Sequence, residues 1–414
     1  MGVLTPSGKS LNYNMASRRW STILLSRRRY TLLSAAVATV FLLQIVVIII
    51  THLQQLKFRQ RLPPPTDGSE QLPFCFGSCQ TVLHAASTGS WPDLLAALQR
   101  SVKQRYVVVH VQYGLGNRLR ALASAMAVAA ATERPLVVIW PRDAHCNCSF
   151  RALFDESRFA VLELDGGGLD AQRMVWNAVL TDSASFVATS YMREDGVEKD
   201  SDRAWLPPLV DANKHLFVKT AYRLAHPRAE WSFAAWQLHS LTPRPEIARL
   251  LIATSDMVGV HVRSVVDAGA PYGTTPATTQ REWRRKGSWP SFVDRMAREP
   301  RETLFYLAAD SQEAYDGLEA AFPGRTMRTA RACPAARGAG CEARDAASIR
   351  AALVDMLNLA RTQRILGSGF SSFSEVARFY GSTRALWGLG RLGPAVEHYV
   401  PPLEVAGIDF AAAA

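Results

Sequence analysis

Two glycines set between an apolar strand and a long helix constrain this chain more than any other feature. Tyr106-Val-Val-Val-His-Val111 is short, β-branched and bounded by turn chemistry, so it reads as a buried strand. Gly114-Leu-Gly116 follows, then an Ala-rich amphipathic run from Asn117 to Thr132, then Leu136-Val-Val-Ile-Trp140 as a second strand. Strand, tight turn, helix and strand in that order make the right-handed unit of a parallel sheet, which needs helices on both faces.

The same alternation returns later. Met257 to Val262 is a strand candidate, followed by a helix from Trp289 to Arg298, a strand from Thr303 to Ala308 and a helix from Gln312 to Phe322. After a loop around Cys333 to Cys341 come a helix from Ala346 to Arg361, a short strand Arg364-Ile-Leu-Gly367 and a last helix from Ser371 through Phe379. The fold class is therefore α/β in two blocks. The segment from Ala188 to Pro245, rich in Trp, Pro and charge, is left without an assignment. In doubly wound sheets ligands settle beyond the carboxyl ends of strands. Gly114, His261, Arg263, Asp310 and Gly369 all fall at such ends.

Ahead of these blocks, Tyr30 to Leu53 is uncharged, apolar and long enough to cross a hydrocarbon layer of roughly 30 Å as a helix. Six consecutive β-branched residues, Ile45 to Ile50, and the lack of a small-residue cleavage site favour an uncleaved anchor over a signal peptide. Lys9, Arg18, Arg19, Arg27, Arg28 and Arg29 precede it without an acidic residue, which places the N-terminus in the cytoplasm. The expected organisation is a cytoplasmic basic tail over residues 1–29, a transmembrane signal anchor over 30–53, a stem over 54–74 containing Pro63-Pro-Pro65, an N-terminal α/β lobe over 75–245 and a C-terminal α/β lobe over 246–414. Six of the eleven net positive charges belong to the tail, so the globular part carries too little for a nucleic-acid partner.

All six cysteines lie beyond the anchor, where an oxidising lumen would permit disulfides, Cys333 to Cys341 being the simplest local clip. His145, Cys146 and Cys148 stand too close together for a structural zinc site. Asn147-Cys-Ser149 is the one N-glycosylation sequon, and early pairing of Cys148 would block it.

Several constellations carry chemistry. Gly114-Leu-Gly-Asn-Arg118 is either a plain tight turn or a loop whose amides approach an anion. Leu119 stands where a dinucleotide fingerprint needs a third glycine, and no Walker lysine is present. In Met257-Val-Gly-Val-His-Val-Arg263 an apolar strand delivers an imidazole and a guanidinium to one edge. A guanidinium there can fork onto phosphate oxygens. Gly367-Ser-Gly-Phe-Ser-Ser372 offers hydroxyls and amides at a helix start, by capping or by phosphate contact. Asp355 sits on an otherwise apolar helix face and wants a partner. Asp200-Ser-Asp202 matches a metal-binding DxD pattern, but its charged surroundings read as a solvated loop.

Val258-Gly-Val-His-Val-Arg263, Leu304-Phe-Tyr-Leu-Ala-Ala-Asp310 and Asp355 through Phe370-Ser-Ser372 together resemble the three ordered motifs of the alpha-1,6-fucosyltransferase and protein O-fucosyltransferase superfamily. Gly114 to Leu119, with Ala121-Leu-Ala-Ser-Ala125 behind it, resembles that family's N-terminal glycine loop. The resemblance spans Tyr106 to Gly381. It implies two Rossmann-like lobes facing a cleft (GT-B-like), GDP-fucose as donor, a glycan or glycoprotein acceptor, no metal, and inversion at the anomeric carbon. It also implies that Arg263 grips the β-phosphate, that His261 and Asp355 face the nucleotide, and that Asp310 supports the donor site. Ser371 or Ser372 would bind phosphate, with Gly116, Asn117 and Arg118 completing the donor-binding set. Ser264 replaces the second basic residue of the best-known members, which leaves Asp267 as candidate catalytic base beside Arg263 and Glu282 behind it. A relative with the same fold and another nucleotide sugar, or a catalytically silent glycan- or nucleotide-binding membrane protein, are the competing expectations. Taken with the anchor, the resemblance implies a Golgi or ER membrane location.

Overall fold

The computed structural model describes residues 79–155, 158–165, 168–195, 208–227, 229, 237–264, 287–330, 343–369, 371–382 and 395–399. All belong to one compact unit, Glu70–Ala414; the other, Met1–Ser69, lies outside the described residues together with the expected anchor. No described helix is long and apolar enough to cross a membrane.

Among the described residues ten strands form two parallel sheets. The first contains β1 (Val107–Val111), β2 (Leu136–Pro141), β3 (Ala160–Leu164), β4 (Phe186–Ser190) and β5 (His215–Thr220) in the order β3-β2-β1-β5-β4. The second contains β6 (Val258–Val262), β7 (Phe305–Ala309), β8 (Thr326–Met327), β9 (Arg364–Ser368) and β10 (Ala395–Tyr399) in the order β10-β9-β6-β7-β8. Each order reverses direction once, beside β1 in the first sheet and between β6 and β9 in the second. These are the topological switch points at which doubly wound sheets open a crevice.

The helices are α1 (Cys79–Ser87), α2 (Trp91–Arg100), α3 (Leu115–Thr132), α4 (Gly168–Thr181), the single turn α5 (Pro245–Ala248), α6 (Pro290–Ala297), α7 (Gln312–Ala321), α8 (Ala346–Leu359) and α9 (Ser372–Ser382). Alternation along the strands sorts them into layers. Val107, Val109 and Val111 of β1 join Tyr306 and Ala308 of β7 in one continuous core that includes α3, α8 and α9. Val108 faces the opposite way onto α1 and α2, and Val258, Val260 and Val262 face α6 and α7. The middle helical layer is thus shared by both sheets, which explains why nearly every residue of α3 is buried.

Two strands emerge from the segment that sequence left unassigned. β5 inserts between β4 and β1, with His215 beside Phe186 and Lys219 beside both His110 and Ser190. Lys219 is buried because its ammonium meets Asp195 at 3.0 Å, and Asp195 also accepts the Ser190 hydroxyl at 2.5 Å.

Candidate functional site

β6 brings His261 and Arg263 to the edge of the second sheet on the same face, because residues two apart along a strand point the same way. Gly259 shares that face. A methyl there would come within 2.8 Å of Leu359 and Thr362, so glycine lets the end of α8 close on the strand. Further along, His261 pairs in register with Ala308 on β7 and Gly367 on β9, and Arg263 lies just past this ladder.

The backbone around Arg263 is pinned from both flanks. On the β9 side its N–H donates to the Ser368 hydroxyl at 2.8 Å, and that hydroxyl lies 3.1 Å from the Gly287 carbonyl it can donate to. On the β7 side the buried Asp310 carboxylate accepts the Ser264 N–H at 2.9 and 3.0 Å and the Ser264 hydroxyl at 3.0 Å. Charge-assisted bonds of this kind hold a loop without moving parts. Ser264, which departs from the best-known family pattern, is therefore the residue that Asp310 holds. Asp267 and Glu282 lie outside the described residues.

The imidazole of His261 is equally constrained. Its Nδ1 lies 2.6 Å from the Ser374 hydroxyl, and its ring stacks on Phe373 with centroids 4.7 Å apart and planes 21° from parallel. Phe373 and Ser374 sit in the first turn of α9, which begins between Ser371 and Ser372. Among the described residues the hydroxyls of Ser371 and Ser372 make no hydrogen bond, and the first-turn amides of a helix have no partner within the helix itself. Ser368 and Ser374 were not foreseen from sequence, since a single small hydroxyl carries no periodic signal.

The glycine loop of the first sheet arrives at the same place. Gly116, in the first turn of α3, rests directly on the start of α9: a methyl there would meet Ser372 Oγ at 2.9 Å and the Phe373 nitrogen at 3.0 Å. One turn on, Arg120 bonds Glu375 at 3.2 Å and Arg223 reaches the same carboxylate at 3.7 Å. Glycine loop and serine loop, far apart in sequence, form one composite edge. Asn117 lies on it, half-buried and without a side-chain hydrogen bond among the described residues.

Arg118 and Asp355 take places unlike those expected. The Arg118 guanidinium is enclosed, donating to Tyr113 O at 2.6 Å, to Asp143 at 2.8 Å and to the Pro141 carbonyl, and it stacks on Trp140. It braces the turn in which Tyr113 adopts a left-handed φ of 63°. Asp355 is buried beneath the second sheet, accepting the Tyr306 hydroxyl at 2.8 Å in a network with Thr329 and Asn358. Tyr306 sits two rungs from the amino end of its strand, away from the carboxyl edge. Burial and the neighbouring Asp355 hold the phenol protonated, far above its ordinary range.

Cys146 and Cys148 are buried free thiols, and burial raises the pKa of both, that of Cys148 to about 11. Cys79 is disulfide-bonded; Cys333 and Cys341 lie outside the described residues, as do Asp200 and Asp202. Among the described residues no three His, Cys, Asp or Glu side chains cluster as a metal site.

The described residues thus form an α/β architecture of two parallel sheets, with the starts of α3 and α9 in contact. No family model matches the chain, and no curated protein matches it. Among solved structures it is similar to the NodZ alpha-1,6-fucosyltransferase soaked with GDP-fucose, with 20% identity over 68% of this chain and 94% of that one and a TM-score of 0.44. It is also similar to a mutant of Arabidopsis thaliana FUT1 in complex with GDP, with 15% identity over 79% and 75% and a TM-score of 0.39. POFUT1 in complex with GDP-fucose gives 13% identity over 72% and 98% and a TM-score of 0.39.

Proposed function

We propose that this chain is a glycosyltransferase that moves fucose from GDP-fucose to a glycan or protein hydroxyl, inverting the anomeric carbon without a metal. The observation that carries this reading is Arg263, locked at the switch point between β6 and β9 by Ser368 and the Asp310–Ser264 pair, with the start of α9 beside it. Cleaving a glycosyl–phosphate bond builds negative charge on the departing diphosphate. A guanidinium on a pinned backbone, a helix N-terminus and two serine hydroxyls are suited to stabilise that charge. The choice of GDP-fucose rests on the ordered motif resemblance. Asp267 remains the proposed base that takes the proton of the acceptor hydroxyl.

A single-pass type II membrane location with a luminal globular part belongs to the same proposal. It is supported by the apolar segment Tyr30 to Leu53, the basic tail before it and a disulfide at Cys79.

The test is a panel of sugar nucleotides offered to the detergent-solubilised full chain, with sugar release and transfer to glycoprotein acceptors both measured. GDP-fucose should be consumed in preference to all others. Preference for a different sugar nucleotide would overturn the donor, and tight GDP binding with no turnover of any donor would overturn transfer.

A further inference from the structure

We propose that Asn147, in the loop that leaves the carboxyl end of β2, carries an N-linked glycan. Two conditions decide whether the sequon Asn147-Cys148-Ser149 can be used and its product folded. The amide must lie at the surface of the finished protein, because a glycan is too bulky and polar to bury, and Cys148 must not be claimed by a bridge. Both conditions are met. Asn147 is exposed while Cys146 and Cys148 on either side of it are fully buried, so the thiols turn inward and the amide turns out. Its side chain makes no hydrogen bond among the described residues, whereas its backbone N–H donates to the Arg344 carbonyl at 2.8 Å. No described contact is lost when the amide is substituted. Cys146 and Cys148 are free thiols, so no bridge of the folded protein draws on the middle of the sequon. Burial keeps both protonated, which makes exchange with other disulfides slow.

The loop holds the attachment point in one place. Asp143 accepts the N–H groups of His145 and Cys146 at 2.9 and 3.1 Å, and the same carboxylate pairs with Arg118, which braces the glycine-loop turn. In the transfer, Asn147 Nδ2 bonds to the anomeric carbon of an oligosaccharide carried on a lipid diphosphate. The bond from that carbon to the diphosphate oxygen breaks, and an amide proton leaves with the released diphosphate. The step takes place on the emerging chain, before folding commits the Ser149 hydroxyl to Glu163 at 2.6 Å. This inference rests on the proposed luminal location of the globular part, since the sugar is added on that side of the membrane.

The test is gel mobility of the full chain, made in a eukaryotic secretory system, before and after treatment with a peptide N-glycosidase. The parent should move faster by a single step on treatment, and Asn147→Gln and Ser149→Ala should both run with the treated parent from the outset. A step that survives Asn147→Gln overturns the assignment. A second sequon separates the glycan from the topology beneath it. Thr88→Asn, placed in the Asn147→Gln background, completes the pattern with Gly89 and Ser90 on an exposed turn after α1. If Thr88→Asn gives an enzyme-sensitive step and the parent gives none, the globular part is luminal and the glycan at Asn147 is overturned. If neither protein gives a step, the luminal location falls, and the glycan with it.

Discussion

Gly116 and Ser372 touch so closely that no side chain fits between them, although 255 residues separate them by number. The contact joins the turn before α3 to the start of α9, so the two loops hold one another in place. Gly116→Ala puts a methyl against backbone atoms of α9, at 3.0 Å, where it cannot be relieved by rotating a side chain. The variant should fold, melt several degrees lower, and bind GDP at least about tenfold more weakly because the helix start has moved. Thermal melting and GDP titration check this, and unchanged affinity would show that the start of α9 does not contact the nucleotide.

Arg263→Ala should lower kcat/KM at least about 100-fold, on the order of 3 kcal/mol of transition-state stabilisation, with little change in melting temperature. Arg263→Lys should recover part of the loss, since an ammonium keeps charge but not the planar fork. Steady-state kinetics with the proposed donor decide it, and activity within a factor of a few of the parent would remove Arg263 from the reaction.

Arg118→Ala should behave in the opposite way. The guanidinium satisfies two carbonyls and Asp143 inside the protein, and removing it strands them. Breaking a buried pair costs about 3 kcal/mol or more. Denaturant unfolding should show this loss, and Arg118→Lys should recover little because one ammonium cannot serve three fixed acceptors. A variant of parental stability that fails to bind nucleotide would return Arg118 to the ligand site.

Acid should destabilise the first lobe through two buried histidines. His215 accepts the Tyr106 N–H at Nδ1 and contacts Leu98 O through Nε2, and burial lowers its pKa to about 4. His110, with neither ring nitrogen hydrogen-bonded, is lowered well below its ordinary value by burial and by Lys219 and Arg118. Unfolded chains take up these protons near pH 6.5, and the folded chain resists doing so. Stability is therefore full above that pH and falls as pH drops from 6.5 toward 4, by up to about 3 kcal/mol for His215 over the whole window. Melting temperatures at pH 7.5 and 5 should differ in that direction, and a His215→Gln variant should flatten the slope. Equal or higher stability at pH 5 would contradict this account.

Much of this architecture was legible in the residues. Short apolar runs marked β1, β2, β6 and β7, and the strand-end positions of His261, Arg263 and Asp310 followed directly. β5 was hidden because His215 and Lys219 interrupt its apolar pattern, and only their partners, Leu98 and Asp195, make them tolerable inside a sheet. The partners of Arg118 were hidden for a related reason: an arginine beside a glycine loop looks the same in sequence whether it faces a phosphate or three protein acceptors. The roles of Ser368 and Ser374 depend on contacts spanning more than 100 residues, beyond the reach of local pattern.

The middle helical layer has a consequence for how the molecule comes apart. α9 lies against α3 on one side and α8 on the other, and all three contribute to a core that neither sheet can complete alone. Loss of either sheet would strip the other of half its cover, so the globular unit should melt in one cooperative step. A nucleotide held at the start of α9 would then act as a keystone, raising the melting point of both halves together in proportion to the logarithm of its concentration.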